Sequence, residues 1–247
     1  MTCSRHLDKL GIMARSLRAA EGGLVYHCLN RANARLAIFT KDGDFEAFER
    51  VLAEAVARHD MRVLAYCIMR NHFHLILWPR ADGDLSRFMR WLTLTHTQRW
   101  HAHRHSAGTG HLYQGRFKSF PVQSDAHLYT VCRYVERNAL RAGLVERAEQ
   151  WRWGSLWWTR QKSAGSPPAV PLCPWPIPRP RDWVERVNTP LTGAEEQALQ
   201  RCIQRSQPYG APEWQTATAS RLGLESSLRP RGRPKKERAP SSDRKGS

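Results

Sequence analysis

The stretch RVLAYCIMRNHFHLILW, residues 62–78, decides the fold. Its two apolar runs, 62–69 and 72–78, are joined by Arg70-Asn71 and predict a β-hairpin. Because side chains alternate between the two faces of a strand, His72 and His74 share one face and Phe73 lies on the other. The hairpin therefore presents two imidazoles side by side on one surface of a sheet.

Further strands and helices are predicted on both sides of this hairpin. A strand is expected over residues 24–31, helices over 44–59 and from Asp84, a strand over 116–122, and a helix over 125–141. The order β-α-β-β-α-β, followed by a helix, predicts an α+β ferredoxin-like sandwich. One antiparallel sheet then carries two helices on one face, and the helix over 125–141 is additional.

The composition changes beyond Leu144, and the main domain is expected to end at residue 156. Residues 157–188 are rich in Trp and Pro and predict an arm or linker, and residues 189–228 predict a small helical extension. Within the extension, a helix over 192–206 would be capped at Thr192, with Glu195 completing a capping box. Residues 229–247 are basic and almost free of apolar side chains, so we expect them to be disordered until bound.

The high net positive charge of the chain indicates a polyanionic binding partner. The 247 residues carry a formal net charge of +17, which favours binding to phosphates. The six cysteines lie far apart without a Cys-x-x-Cys pair, which argues against a zinc ribbon and a disulfide framework. No apolar stretch has the length of a signal peptide or a membrane span. We therefore expect a cytoplasmic, nucleoid-associated protein that binds nucleic acid and no membrane.

Helical periodicity over residues 125–141 places polar side chains beside an apolar stripe. Tyr134, Arg137, Asn138 and Arg141 fall together along one flank of the helix. Each of these residues alone is compatible with an ordinary edge or surface position. A His-x-His pair in a strand is likewise more often structural than metal-binding. The combination, rather than any single residue, points to a reaction site.

Six short motifs occur in order along the chain: Tyr26-His27, Asn30-Arg31, residues 69–74 (MRNHFH), 110–117 (GHLYQGRF), 134–138 (YVERN) and 141–144 (RAGL). In combination, they resemble the REP-associated tyrosine transposases, relatives of the insertion-sequence transposases in the HUH endonuclease superfamily. The resemblance covers residues 13–156, the expected catalytic domain, with a looser similarity over 208–234. Relatives begin near a sequence like that at Met13, so residues 1–12 are expected to be disordered or not native.

The resemblance implies a catalytic set. His72, His74 and Asn138 would hold Mg²⁺ or Mn²⁺, and Tyr134 would be the nucleophile. The implied activity cleaves and rejoins single-stranded hairpin DNA, such as REP-like palindromes, through a 5′-phosphotyrosine. The phenol of Tyr134 needs a nearby cation to stabilise the developing negative charge, because its ordinary pKa near 10 makes it a poor nucleophile at neutral pH. The chain reads Asn138-Ala139-Leu140 where relatives read Asn-Pro-Val, so the proline that would end the helix is missing.

Several residues are expected to contact DNA. In the main domain they are Asn30, Arg31, Arg116, Lys118, Arg137 and Arg141, with ordinary solvated charge as the alternative for each of the basic side chains. In the tail, Arg231 and Arg233 belong to an AT-hook-like segment that would enter the minor groove of A·T-rich duplex. The plain alternative is a nonspecific basic tail.

Two other functions remain open from the sequence. A noncatalytic nucleic-acid-binding protein with a ferredoxin-like fold would bind without any need for Mg²⁺ or Tyr134. A metal-dependent hydrolase would need the cation, but it would survive Tyr134→Phe and leave no covalent adduct. One tyrosine nucleophile per chain is sufficient for a monomer that nicks, whereas coupled cleavage of two ends would favour a dimer.

Overall fold

The structure is a computed structural model that describes residues 20–161 and 168–229. Its strands are β1 (Val25–Arg31), β2 (Arg62–Met69), β3 (His72–Trp78) and β4 (Lys118–Val122). Its α-helices are α1 (Asp42–His59), α2 (Asp84–Arg104), α3 (Ala126–Glu136), α4 (Asn138–Arg141), α5 (Ser155–Gln161), α6 (Trp183–Asn188), α7 (Gly193–Arg205), α8 (Pro212–Arg221) and α9 (Glu225–Leu228). Two single turns of 3-10 helix, Asn33–Arg35 and Ala148–Gln150, complete the described elements.

The four strands form one sheet in the order β2-β3-β1-β4, and every neighbouring pair is antiparallel. This is the strand order of a ferredoxin-like sandwich, so the predicted α+β fold is confirmed. The register pairs Arg31 with His72 and Leu29 with His74 across β1 and β3. The histidine pair therefore lies on a central strand, opposite the carboxyl end of β1.

The sheet separates two apolar cores. On one face α1 and α2 pack through residues such as Phe48 and Phe88 against Phe73 of β3. On the other face Val131 and Val135 of α3 join the core that contains Ile76. Alternation along β3 explains both cores, because Phe73 and Ile76 point to opposite sides. The predicted placement of two helices on one face and the additional helix elsewhere is thus correct.

The helix predicted without a break over residues 125–141 was wrong in its continuity. It is divided into α3 and α4, with Arg137 between them. The Nδ2 of Asn138 donates to the carbonyl oxygen of Tyr134 at 3.3 Å. In an unbroken helix that oxygen accepts from the backbone N–H of Asn138, so the side chain competes for the same acceptor. An asparagine thus marks the helix boundary in the absence of the family's proline.

The Trp- and Pro-rich segment lies against the edge strand β2. The backbone N–H of Cys173 donates to Val63 O at 2.8 Å, and Trp175 Nε1 donates to Leu64 O at 3.0 Å. These bonds occupy carbonyl groups that an exposed edge strand would otherwise offer to solvent or to another chain. The segment therefore covers part of the sheet.

The predicted capped helix is present as α7. Thr192 accepts from the backbone N–H of Glu195, and the Glu195 carboxylate accepts from the backbone N–H of Thr192. Residues 1–12, Arg231 and Arg233 fall outside the described residues, and the proposed domain boundaries stay predictions. Within the part that the structure describes, no helix combines the length and apolar character needed to cross a membrane.

Candidate active site

The candidate site lies between the sheet and α3. His72 and His74 point from β3 toward α3, and their ring centroids are 5.0 Å apart. The rings of His74 and Tyr134 are in edge-to-face contact, with centroids 5.7 Å apart. The fold therefore brings the predicted histidine pair to the predicted nucleophile, although the hairpin and the helix are far apart in sequence.

Hydrogen bonds fix both imidazoles through their Nδ1 atoms. His74 Nδ1 lies 2.8 Å from His27 Nε2, and His72 Nδ1 lies 2.6 Å from Asn71 Oδ1. None of the hydrogen bonds found among residues 20–161 and 168–229 uses Nε2 of His72 or His74. These two Nε2 atoms are therefore the nitrogens that are free to bind a cation.

Burial keeps both histidines neutral. It lowers the pKa of His72 to about 4, with a further contribution from the positive charges of Arg31 and Arg141. It also lowers the pKa of His74 well below its ordinary value, and the neighbouring His72, His27 and the same two arginines act in the same direction. A neutral imidazole has a lone pair, which is the form that binds metal ions.

The Tyr134 oxygen lies among hydrogen-bond donors. Arg141 Nη2 is 3.4 Å from Tyr134 Oη, and the guanidinium carbon lies 4.8 Å from the centre of the ring. Gln200 of α7 places its Nε2 3.1 Å from the same oxygen. The tyrosine is only 4% exposed, so these contacts form in a sheltered position.

Asn138 lies beside the same arginine. Its Oδ1 is 3.4 Å from Arg141 Nη2, while its Nδ2 is bonded to the Tyr134 backbone. The side-chain oxygen of this buried residue therefore faces Arg141, the group that also contacts Tyr134. Arg141 links the three predicted elements of the site, because it contacts Tyr134 and Asn138 and lowers the pKa of both histidines.

The donor set fits a divalent cation such as Mn²⁺ or Mg²⁺. Two neutral imidazole nitrogens and one amide oxygen are acceptable ligands, and three protein ligands leave positions for water and phosphate. In the described part of the chain no three or more His, Cys, Asp or Glu side chains form a metal-binding group, so the amide is needed to complete this set. The charges that shift both histidine pKa values belong to arginines, which repel a dication.

The predicted DNA-contacting residues divide into separate groups. Arg31 lies at the site, and its Nε is buried without a hydrogen-bond partner among the described residues. Arg141 is exposed at the mouth of the site. Lys118 is exposed on β4, opposite Leu29. Arg137 is instead occupied by the Trp- and Pro-rich segment, since its Nη1 donates to the carbonyl oxygens of Val187 and Asn188.

Asn30 and Arg116 lie on a different surface. Both line a groove of about 860 Å³ between α2 and the loop over residues 110–117, with Arg90 as the other charged lining residue. Asn30 is buried, and its Nδ2 donates to Gly115 O at 3.4 Å. Because Asn30 and Arg31 are adjacent on a strand, they face opposite sides of the sheet. Asn30 thus supports the loop on the face away from Tyr134.

Two site residues were not predicted as such from the sequence. His27 appeared only as part of a motif, although its alternation with Arg31 on β1 is a signal that both face the same side as the histidine pair. Gln200 had no signal, because nothing in a local pattern shows that α7 packs against α3. The contact with Tyr134 becomes visible only in the folded chain.

Comparison with known proteins finds a match to a family profile. The family profile described as "Transposase IS200 like" matches residues 21–138, a range that includes His72, His74, Tyr134 and Asn138. No curated protein matches the sequence.

Two solved structures are similar. One, a REP-associated tyrosine transposase bound to a REP hairpin, has a TM-score of 0.49 and 17% sequence identity, covering 67% of this chain and 94% of that chain. The other, a candidate transposase from Deinococcus radiodurans R1, has a TM-score of 0.36 and 16% identity, covering 49% of this chain and 95% of that chain. Residues 21–138 are thus similar to the IS200-like transposase family, and this profile match agrees with the transposase resemblance found in the sequence.

Proposed function

We propose that the protein is a metal-dependent transposase or nickase that cleaves and rejoins single-stranded hairpin DNA through a phosphotyrosine at Tyr134. The observation that carries this proposal is the contact of Tyr134 with the ring of His74, 5.7 Å between centroids. The match of residues 21–138 to a transposase family profile supports DNA as the substrate. The choice of REP-like palindromes rests on the sequence resemblance to REP-associated tyrosine transposases.

The tyrosine oxygen would attack the phosphorus of one phosphodiester. The Oη–P bond forms, the P–O3′ bond breaks, and the protein keeps the 5′ end while a free 3′-hydroxyl leaves. Arg141, 3.4 Å from Oη, favours negative charge on that oxygen as the attack proceeds. Because the phosphotyrosine conserves the energy of the phosphodiester, the 3′-hydroxyl can reverse the step and rejoin the strand.

Three side chains would hold the cation: His72 and His74 through Nε2, and Asn138 through Oδ1. When bound, Mg²⁺ or Mn²⁺ polarises a phosphate oxygen and reduces the cost of negative charge at the attacking atom. The low pKa of His72, about 4, keeps its nitrogen unprotonated at neutral pH. Arg31 and Arg141 would bind the phosphate itself, since guanidinium groups match its geometry.

Binding would extend beyond the cleaved phosphate. Lys118 and the arginines at the site would contact the backbone of the strand, which positions it without reading its sequence. The tail with Arg231 and Arg233 would add contacts to A·T-rich duplex. We infer a monomer that nicks, because each chain supplies one complete set of the proposed catalytic residues.

The test uses hairpin DNA labelled separately at its two ends. A 5′-phosphotyrosine keeps the label of the 3′-terminal fragment on the protein, whereas the 5′-terminal label leaves on a free strand. The assay contains Mn²⁺ or Mg²⁺, with a chelator in parallel. Tyr134→Phe is compared with Tyr129→Phe, which removes a hydroxyl from the same helix that is bonded to Pro178 O instead.

We expect a metal-dependent adduct that carries only the 3′-terminal label and disappears in Tyr134→Phe but not in Tyr129→Phe. Cutting that persists in Tyr134→Phe would show a hydrolase in which water attacks. Tight binding without cutting, for several hairpins and both cations, would show a noncatalytic DNA-binding protein.

A further inference from the structure

We propose that Gln200, on helix α7 of the extension, is a further catalytic residue that stabilises negative charge on Tyr134 Oη during the attack on phosphorus. The proposal rests on the function proposed above and adds a role for the extension, which lies beyond residues 21–138, the range that the family profile matches. Its basis is a direct contact with the reacting oxygen.

Two N–H donors converge on that oxygen. Gln200 Nε2 lies 3.1 Å from Tyr134 Oη, and Arg141 Nη2 lies 3.4 Å from it. An oxygen that accepts from two donors directs its own hydrogen away from both. Donors of this kind bind an oxygen more strongly as it becomes negative, so they stabilise a transition state with phenolate character more than the phenol.

The contact between Gln200 and Tyr134 is held in place by the packing of α7 into the apolar core. Leu199, next to Gln200, is 0% exposed, and Cys202 on the same helix is 2% exposed. Both belong to the apolar core that also contains Val131 and Val135 of α3. Displacing α7 would expose this apolar surface to water, which is costly. The amide therefore stays beside Tyr134 when DNA binds.

Polar contacts also fasten α7 to the catalytic helix. Arg133 Nη2 donates to Thr189 O and Pro190 O, both at 3.3 Å. Its Nη1 lies 3.7 Å from the carboxylate of Glu195, in the first turn of α7. Because Arg133 directly precedes Tyr134, the start of α7 is held at the residue next to the nucleophile. Gln200 is thus pre-organised, and no rotation of the helix is needed to form its hydrogen bond.

The role assigned to Gln200 involves no proton transfer. The phenol proton passes to water, the Oη–P bond forms as the P–O3′ bond breaks, and the 3′ oxygen takes a proton from water. Gln200 donates a hydrogen bond throughout and remains a neutral amide. The same bond assists the reverse reaction, because Oη then leaves phosphorus and regains negative charge.

The experiment compares three variants of the full chain. Gln200→Ala removes the donor, and Gln200→Glu replaces it by a carboxylate of similar size that repels a phenolate. Gln197→Ala is the matched control, since Gln197 is exposed on the same helix. Fluorescence anisotropy without divalent cations gives hairpin DNA affinity, and quenched-flow reactions with excess enzyme and Mn²⁺ give the rate of adduct formation.

We expect Gln200→Ala to form the adduct about 10–100-fold more slowly than wild type, as for the loss of one hydrogen bond to a charged oxygen. Gln200→Glu should be slower still, and Gln197→Ala should match wild type. DNA affinity should stay within about twofold for Gln200→Ala and Gln197→Ala, which separates chemistry from binding. The ¹³Cζ resonance of Tyr134 should move in Gln200→Ala and stay in place in Gln197→Ala. This shift reports the hydrogen bond without requiring activity, and an unchanged melting temperature excludes loss of fold.

Failure of this inference differs from failure of the proposed function. If wild type forms the Tyr134 adduct and Gln200→Ala forms it equally fast, or faster, the catalytic role of Gln200 is overturned and the proposed function stands. A slower rate that only follows weaker DNA binding overturns it as well. If wild type forms no adduct at Tyr134, the proposed function fails and the role of Gln200 fails with it.

Discussion

His27 Nε2 lies 2.8 Å from His74 Nδ1, in the interior between the sheet and α3. The two ring planes are inclined by 29°, with centroids 5.1 Å apart, and His27 Nδ1 is buried without a hydrogen-bond partner among the described residues. If His74 offers Nε2 to a cation, its Nδ1 carries the hydrogen and donates to His27. A ligand histidine whose other nitrogen is held in this way keeps its ring orientation and tautomer.

Substitution of His27 should therefore weaken cation binding. His27→Phe keeps an aromatic ring in the core but removes the acceptor for His74 Nδ1. We expect the affinity for Mn²⁺, measured by electron paramagnetic resonance titration in the presence of hairpin DNA, to fall about 10–100-fold. His27→Gln, whose side-chain oxygen is an acceptor, should recover part of this loss. Equal affinity in wild type and His27→Phe would show that His27 only fills the core.

Cation affinity should also depend on bound DNA. Arg31 and Arg141 lie close enough to lower the pKa of His72 and His74, and the same positive charges repel a dication. A phosphate between the two arginines cancels that repulsion. We expect Mn²⁺ to bind Tyr134→Phe at least about 10-fold more tightly with hairpin DNA than without it, a coupling of roughly 1.4 kcal/mol. Calorimetric titration of Tyr134→Phe measures the Mn²⁺ affinity with and without hairpin DNA. The DNA stays uncleaved because this variant lacks the proposed nucleophile.

Substitution of Arg31 should change the affinities for hairpin DNA and for Mn²⁺ in opposite directions. Arg31→Gln is expected to weaken hairpin binding while it strengthens Mn²⁺ binding in the absence of DNA, because it removes a charge that attracts phosphate and repels the cation. Arg160→Gln is a suitable control, since Arg160 is exposed on α5 and has no ion pair among the described residues. If Arg31→Gln leaves both affinities at their wild-type values, Arg31 is not part of the site.

Glu136 should hold the Trp- and Pro-rich segment against α3. Its side chain is fully buried and accepts from Ser155 Oγ at 2.7 Å, Trp183 Nε1 at 2.6 Å and Arg179 Nη2 at 3.2 Å. Glu136→Gln removes the charge and turns a donor group toward one of these three donors. We expect urea unfolding to show a loss of about 1–3 kcal/mol. Glu146→Gln, at an exposed position, should change stability by less than about 0.5 kcal/mol.

The sequence was sufficient to predict the sheet and the histidine pair. The alternation of side chains over residues 62–78 places His72 and His74 on one face of the sheet and Phe73 on the other. This pattern can be read from neighbouring residues alone. The break at Arg137 depends on one side-chain hydrogen bond of Asn138, which no periodicity records. The contact of Gln200 with Tyr134 depends on the packing of Leu199 into a core formed by distant segments. Long-range packing of this kind has no signature in a single sequence.

Buried His96 gives the last prediction, a loss of stability in mild acid. Its Nδ1 lies 2.7 Å from Tyr113 Oη, and burial lowers its pKa from 6.5 to about 4. The unfolded chain therefore binds the proton more tightly, so stability is complete above pH 6.5 and is lost as the pH falls toward 4. The loss per buried histidine approaches about 1.4 kcal/mol per pH unit. Urea unfolding between pH 7.5 and 5 should show a smaller pH dependence in His96→Gln than in wild type, whereas His103→Gln, at an exposed position, should keep the wild-type dependence.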